Sequence, residues 1–175
     1  MPPKFGTSGL RGLVTELSPA LVGDYTRAFL RSCPVGNGLW VGRDLRASSP
    51  DIAAMVIAGA KSEGVKVVDC GAVPTPALAL ASMAAGAAAV MVTGSHIPAD
   101  RNGLKFYLPT GEITKADETA ILSALGGAAA EGDAPLLTSG DVGERWLARY
   151  VAAFGKQAFA GLRLGVWSHS AVSRD

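Results

Sequence analysis

Short, mainly apolar runs punctuate the first half of the chain: Leu39–Gly42, Val65–Val68 with Lys66 inside it, and Ala88–Val92. Each has strand length and none alternates with polar residues, the pattern of strands covered on both faces. Around them lie longer segments, each opened by a hydroxyl residue followed by proline: Ser18-Pro19, Ser49-Pro50 and Thr75-Pro76. The hydroxyl can accept an orphan backbone N–H at a helix start. Proline at the first helical position loses no bond there, because its N–H would be unpaired anyway. Helices are therefore predicted over Pro19–Ser32, Pro50–Glu63 and Pro76–Ala85, with Gly64 and Gly86 placed to end the second and third. Strands alternating with helices predict βαβ units, a largely parallel sheet with helices on both faces.

Beyond Ser95 the pattern changes. Leu104–Leu108, the turn Pro109-Thr110-Gly111 and Glu112-Ile113 read as a strand and a hairpin-like turn. Thr114 can cap a fourth helix running to about Leu125. Gly126–Gly140, rich in Ala, Gly and Pro, reads as a linker or loose loop. A helix over Val142–Phe154 follows, then Leu162–Trp167 as the first strand of something new, and Ser168–Asp175 as a strand-to-helix turn. The predicted division is one α/β domain over residues 1–140, then a linker helix and the truncated start of a second domain over residues 141–175.

Composition narrows the function classes. Hydrophobic residues make up 49 % of the 175 and charged residues 18 %, enough for a sizeable core and far from a disordered composition. The formal net charge is +1 and no block of like charge stands out, so neither nucleic acid nor an anionic membrane is expected as a partner. Met1–Gly12 is polar and glycine-rich, unlike a secretory leader. Cys70–Ala99 carries no Asp, Glu, Lys or Arg, but Ala and Gly dominate it and Pro74, Pro76 and Pro98 break it. A buried helix followed by a buried strand is expected there rather than a membrane span. Cys33 and Cys70, at a predicted helix end and strand end, read as buried free thiols and point to a cytoplasmic location. With His96 and His169 they show no zinc-ligand spacing.

Candidate chemistry gathers after the most buried predicted strand, at Thr93-Gly94-Ser95-His96-Ile97-Pro98. Ligands in open α/β sheets collect beyond the carboxyl ends of strands, and a serine flanked by Gly94 and held by Pro98 is placed there to be exposed and rigid. A serine hydrolase would need glycine two positions before and after the nucleophile, where Thr93 and Ile97 stand. Ten residues beyond Ser95, Asn102-Gly103-Leu104-Lys105 brings a lysine that can steady phosphate charge or, if desolvated, act as a base. The N-terminal Phe5-Gly6-Thr7-Ser8-Gly9-Leu10-Arg11-Gly12 combines backbone N–H groups, two hydroxyls and an arginine, all suited to phosphate oxygens. It is neither a Walker loop nor a dinucleotide fingerprint.

These segments together, with Gly111-Glu112-Ile113, resemble the first domain of the α-D-phosphohexomutases, the phosphomannomutases and phosphoglucomutases, over nearly the whole chain. Ile97 departs from the asparagine found in many members. The resemblance implies a three-layer α/β/α sandwich with a mixed, mainly parallel sheet. It implies a phosphoserine at Ser95, with His96 ordering phosphate or substrate and Lys105 as candidate general base. Thr7, Ser8 and Arg11 would face the active-site cleft. The implied cofactors are magnesium, held through the Ser95 phosphate and by aspartates of a loop that this chain does not contain, and a hexose 1,6-bisphosphate as activator and intermediate. The implied reaction interconverts a hexose 6-phosphate and its 1-phosphate, with mannose phosphate the first-choice substrate. The alternative is an inactive folded fragment with a binding or structural role. Self-association of the truncated chain through its apolar outer face is expected as well.

Overall fold

The computed structural model describes residues 3–6, 9–169 and 171–172. Five α-helices are present among them: α1 (Pro19–Ser32), α2 (Ser49–Ser62), α3 (Thr75–Ala84), α4 (Lys115–Ser123) and α5 (Val142–Phe154). The strands are β1 (Lys4–Gly6), β2 (Gly9–Leu13), β3 (Leu39–Arg43), β4 (Val67–Ala72), β5 (Ala88–Val92), β6 (Arg101–Leu108), β7 (Gly111–Glu112) and β8 (Leu136–Thr138).

The strands make one mixed sheet in the order β1-β2-β6-β5-β3-β4-β8, with β7 beside β6. β5, β3, β4 and β8 pair in parallel, and β6, β2 and β1 add on antiparallel beyond β5. α1, α2 and α4 cover one face, where Phe29, Ile52, Val56 and Ile121 belong to the same core as Leu39, Val41 and Phe106. α3 and the start of α5 cover the other, with Leu78 and Val142 in a second core beside Val68, Met91 and Tyr107. The result is the expected three-layer α/β/α sandwich. β5 is buried at every position, which is why its sequence shows no alternation.

Chain order explains where a ligand can enter. From β3 the chain passes through α2 to β4, then returns through α3 to β5 on the opposite side of β3. Successive crossovers that diverge in this way leave a crevice beyond the carboxyl ends of the two diverging strands, here β3 and β5.

Several sequence expectations need correction. Of the hydroxyl-proline starts only Ser18 caps its helix, accepting the Leu21 N–H at 3.3 Å. α2 and α3 begin one residue earlier than expected, with Ser48 and Pro74 at the cap positions and no side-chain cap bond; the Ser49 hydroxyl bonds Asp44 instead. Strand β4 starts at Val67 and continues to Ala72. β6 begins at Arg101 because β2 pairs with it from that residue. The glycine-rich N-terminal loop is flanked by paired strands, β1 and β2. The segment read as a linker contains β8, whose Leu136 and Leu137 pair with Val67 and Val68. Its three residues are all exposed, so no buried face patterned them. Leu162–Trp167 forms no strand; Leu162, Leu164, Val166 and Trp167 are exposed. An apolar alternation becomes a strand only with a ladder partner. The turn expected over Ser168–Asp175 includes residues 170 and 173–175, which lie outside the described residues.

Cys33 and Cys70 are buried and unpaired. Burial, with the Asp69 charge adding to it, pushes the Cys70 thiol up to about 12. No helix among the described residues is long and apolar enough to cross a membrane.

Candidate active site

The loops after β3 and β5 meet in the crevice. Thr93 anchors the second loop: its N–H donates to the Gly103 carbonyl at 3.0 Å, and its hydroxyl donates to Asp44 Oδ2 at 2.9 Å and accepts the Ser95 N–H at 2.9 Å. Asp44 Oδ2 also accepts the Gly94 N–H at 3.0 Å, while Oδ1 accepts the Ser49 hydroxyl and the Arg46 N–H. Asn102, fully buried on β6, donates to the hydroxyls of Ser48 and Ser49 at 2.9 Å and accepts the Gly103 N–H. Polar groups from three separate chain segments are thus satisfied around one serine loop.

Ser95 itself has φ +49°. The left-handed region costs an L-residue with a Cβ roughly 1–2 kcal/mol, so surrounding bonds must hold it there. Its Oγ lies 3.2 Å from Nδ1 of His96.

Ser95 opens onto a cavity of about 400 Å³ that is also lined by Gly6, Gly9, Arg11, Thr93 and Lys105. Arg11 reaches it from β2 and Lys105 from the adjacent β6, with Gly9 paired to Lys105 across the ladder. Three of the residues singled out from sequence therefore share one cavity, and His96 touches the serine at its edge. Thr7 and Ser8 lie outside the described residues; their neighbours Gly6 and Gly9 both line the cavity.

The family described as phosphoglucomutase/phosphomannomutase, alpha/beta/alpha domain I, matches residues 2–130. The chain belongs to the phosphoglucomutase/phosphomannomutase family. It is 46 % identical to a phosphomannomutase of Sinorhizobium fredii NGR234, over all of this chain and 40 % of that protein. It is 40 % identical to a phosphomannomutase of Salmonella muenchen, over 98 % of this chain and 36 % of that one. Among solved structures, a phosphoglucomutase/phosphomannomutase family protein from Burkholderia thailandensis superposes with a TM-score of 0.73 at 26 % identity, over 86 % of this chain and 35 % of that chain. The chain thus spans about two fifths of the length of the curated relatives it matches.

Within this phosphoglucomutase/phosphomannomutase domain, Lys105 is held as a cation. Its Nζ lies 2.6 Å from Glu112 Oε1 and 5.1 Å from the centre of the Tyr107 ring. Burial pulls the amine's pKa down, but the contacts with Glu112 and Tyr107 together outweigh it and leave the amine above the ordinary lysine value. To serve as a base, Lys105 would have to leave Glu112 and give up its own proton first. Removing the carboxylate charge with Glu112→Gln is expected to lower the titration midpoint of the Lys105 amine, read by NMR of labelled lysine side chains. A midpoint that does not fall would show that Glu112 does not hold the proton.

Magnesium is the family's implied metal, and the described residues do not by themselves form a site for it. Among them no group of three His, Cys, Asp or Glu is placed to hold a metal ion. The Asp44 carboxylate, which touches the serine loop, is occupied on both oxygens by loop donors. A hard cation prefers about six oxygen ligands, and a Ser95 phosphate would supply only part of them.

Asp44 and Arg46 were not among the residues drawn from sequence. Their signal was available: Arg43-Asp44-Leu45-Arg46 directly follows an apolar strand at the carboxyl edge of a predicted parallel sheet, where ligand-facing groups collect.

Proposed function

We propose that this chain supplies the phosphoserine portion of a phosphohexomutase, with mannose phosphate as first-choice substrate. The reading is carried by one observation: Ser95, in a held left-handed conformation, shares a cavity of about 400 Å³ with the cations Arg11 and Lys105. The relatives named phosphomannomutase support the choice of mannose.

In the proposed cycle Ser95 carries a phosphoryl group as a monoester. A sugar-phosphate hydroxyl attacks phosphorus, the bond to Ser95 Oγ breaks, and a hexose bisphosphate forms. After reorientation the bisphosphate gives its other phosphoryl group back to Ser95. Such transfer depends on positioning and on neutralising spread-out negative charge rather than on a strong nucleophile. Arg11 presents a planar fork suited to phosphate oxygens, and Lys105 a point charge. Lys105, a cation at rest, leaves Glu112, gives its proton to the departing Ser95 Oγ, and takes the sugar hydroxyl's proton in its place. His96 steadies Ser95 Oγ. A phosphate on Ser95 would help hold magnesium, which would neutralise charge on the transferring group, and its remaining ligands would come from outside these 175 residues. Residues 1–140 form domain I, and α5 leads toward the rest of the enzyme. The two buried free thiols fit a reducing cytoplasm.

The test is a coupled mutase assay with mannose, glucose and glucosamine 1-phosphates, a sugar bisphosphate activator and magnesium. It compares the polypeptide from its native source with these 175 residues alone. Turnover is expected from the former, fastest with mannose 1-phosphate, and none from the latter. No turnover from either would favour the inactive binding role. Turnover by the 175 residues, absent in Ser95→Ala, would show that nothing beyond them is needed.

A further inference from the structure

An arginine beside a phosphate-bearing serine would ordinarily be read as a phosphate ligand. The contacts of Arg46 point elsewhere. Its Nη1 donates to the carbonyls of Pro98 at 2.7 Å and Arg101 at 3.1 Å. Its Nη2 donates to the carbonyls of Ile97 at 2.6 Å and Ser95 at 3.3 Å. Its Nε faces Asp44 Oδ2 at 3.5 Å. The side chain is 19 % exposed, and its guanidinium is turned into the serine loop and grips the backbone from residue 95 to residue 101. It also packs where Gly94 lacks a side chain; a Cβ there would come within 2.1 Å of Arg46 Nε.

We infer that Arg46, braced by Asp44, is a positioning residue for Ser95. It clamps the loop from inside and keeps the serine in its left-handed conformation, facing the cavity shared with Arg11 and Lys105. The inference rests on reading Ser95 as the phosphoryl carrier.

The physical reason lies in the carbonyls. Those of Ser95, Ile97, Pro98 and Arg101 converge on one small volume, where their dipoles repel unless a donor sits among them. A planar fork with several N–H groups satisfies them together, and its charge strengthens each bond. A lysine ammonium projects donors from one nitrogen and cannot span the same set. A strained backbone persists only where its surroundings over-determine it. Asp44 supplies the other half of that constraint, through the Thr93 hydroxyl and the Gly94 N–H.

The experiment compares wild type, Arg46→Lys and Thr93→Val by amide hydrogen exchange, thermal unfolding and phosphate occupancy of Ser95 in protein expressed in its native host. For Arg46→Lys, protection of the Ile97 and Arg101 amides, which bond Gly94 and Pro98 in the wild type, is expected to fall at least about tenfold. Ser95 phosphate occupancy is expected to fall at least about tenfold with it. Protection within β3 and β5 should stay at the wild-type level. Wild-type protection of the loop in Arg46→Lys overturns the inference, whether or not the phosphate survives. Phosphate lost from an intact loop would make Arg46 a phosphate ligand. If Arg46→Lys fails to fold, Thr93→Val decides. It removes the hydroxyl that joins Asp44 to the Ser95 amide but leaves every Arg46 bond in place, so protection of the Ile97 and Arg101 amides should stay at the wild-type level, and its loss would overturn the assignment of the clamp to Arg46. A wild-type Ser95 without phosphate would instead sink the functional reading, while the exchange comparison would still decide the clamp.

Discussion

Ser95→Ala is expected to drop mutase turnover of the native-source polypeptide below detection while leaving its fold in place. The two halves of that result have separate causes. Turnover needs an oxygen that forms and releases a phosphate ester, and alanine has none. Neither the His96 ring nor the Thr93 hydroxyl can substitute, because Thr93 is bonded to both Asp44 and the Ser95 amide. Stability should barely change, because the Ser95 side chain is exposed and its only side-chain hydrogen bond among the described residues is to His96. Surface changes of this kind stay within about 0.5 kcal/mol. Ser95→Gly should be equally inactive and slightly more stable, since glycine adopts φ +49° without the penalty a Cβ imposes. Persistent turnover in Ser95→Ala, after repurification, would move the phosphoryl carrier elsewhere.

The largest structural effect is expected at Gly9. A Cβ there would fall 1.8 Å from the Leu104 carbonyl oxygen and 2.8 Å from its carbon. Both clashing atoms are backbone, so no side-chain rotation can relieve them. β2 would have to move away from β6, breaking the ladder that places Arg11 opposite Gly103. Buried Leu10, which packs in the core with Leu104 and Phe106, would move with it. Gly9→Ala is therefore expected to destabilise by about 3 kcal/mol or more, at the upper end of single-residue effects. For a chain of this size that corresponds to a melting temperature lower by roughly 6–12 °C. A shift of a degree or two by calorimetry would mean that β2 and β6 are not packed this closely. Gly64, around which a Cβ would meet nothing within 4 Å, makes the comparison: its substitution is limited to the strain of φ +72°.

The layered α/β fold was legible because its evidence is local and repeated. β5 carries Ala88–Val92 with no polar residue to mark a wet face, and α1 keeps the Ser18-Pro19 start with its cap bond intact. β8 was not legible, since three exposed residues on a sheet edge owe their pairing with Val67–Asp69 to the β4 backbone and not to their own pattern. At the site, Ser95, Lys105 and Arg11 were legible because phosphate chemistry selects few residue types and these stand in short distinctive segments. Asp44 and Arg46 stand in a readable place, directly after an apolar strand, but their role does not show there. Their work is to hold a loop about fifty positions away in sequence, and that pairing exists only once β3 and β5 lie side by side. The ion pair between Lys105 and Glu112 was not drawn from sequence, although the hairpin-like turn that folds β7 back against β6 was.

The central claim is that Ser95 carries the phosphoryl group, and mass spectrometry of the polypeptide from its native source tests it most directly. Intact mass should show a partial addition of one phosphate, and peptide mapping should place it on Ser95 alone. Phosphate mapped to Ser8 or Ser168, with Ser95 unmodified, would contradict the account.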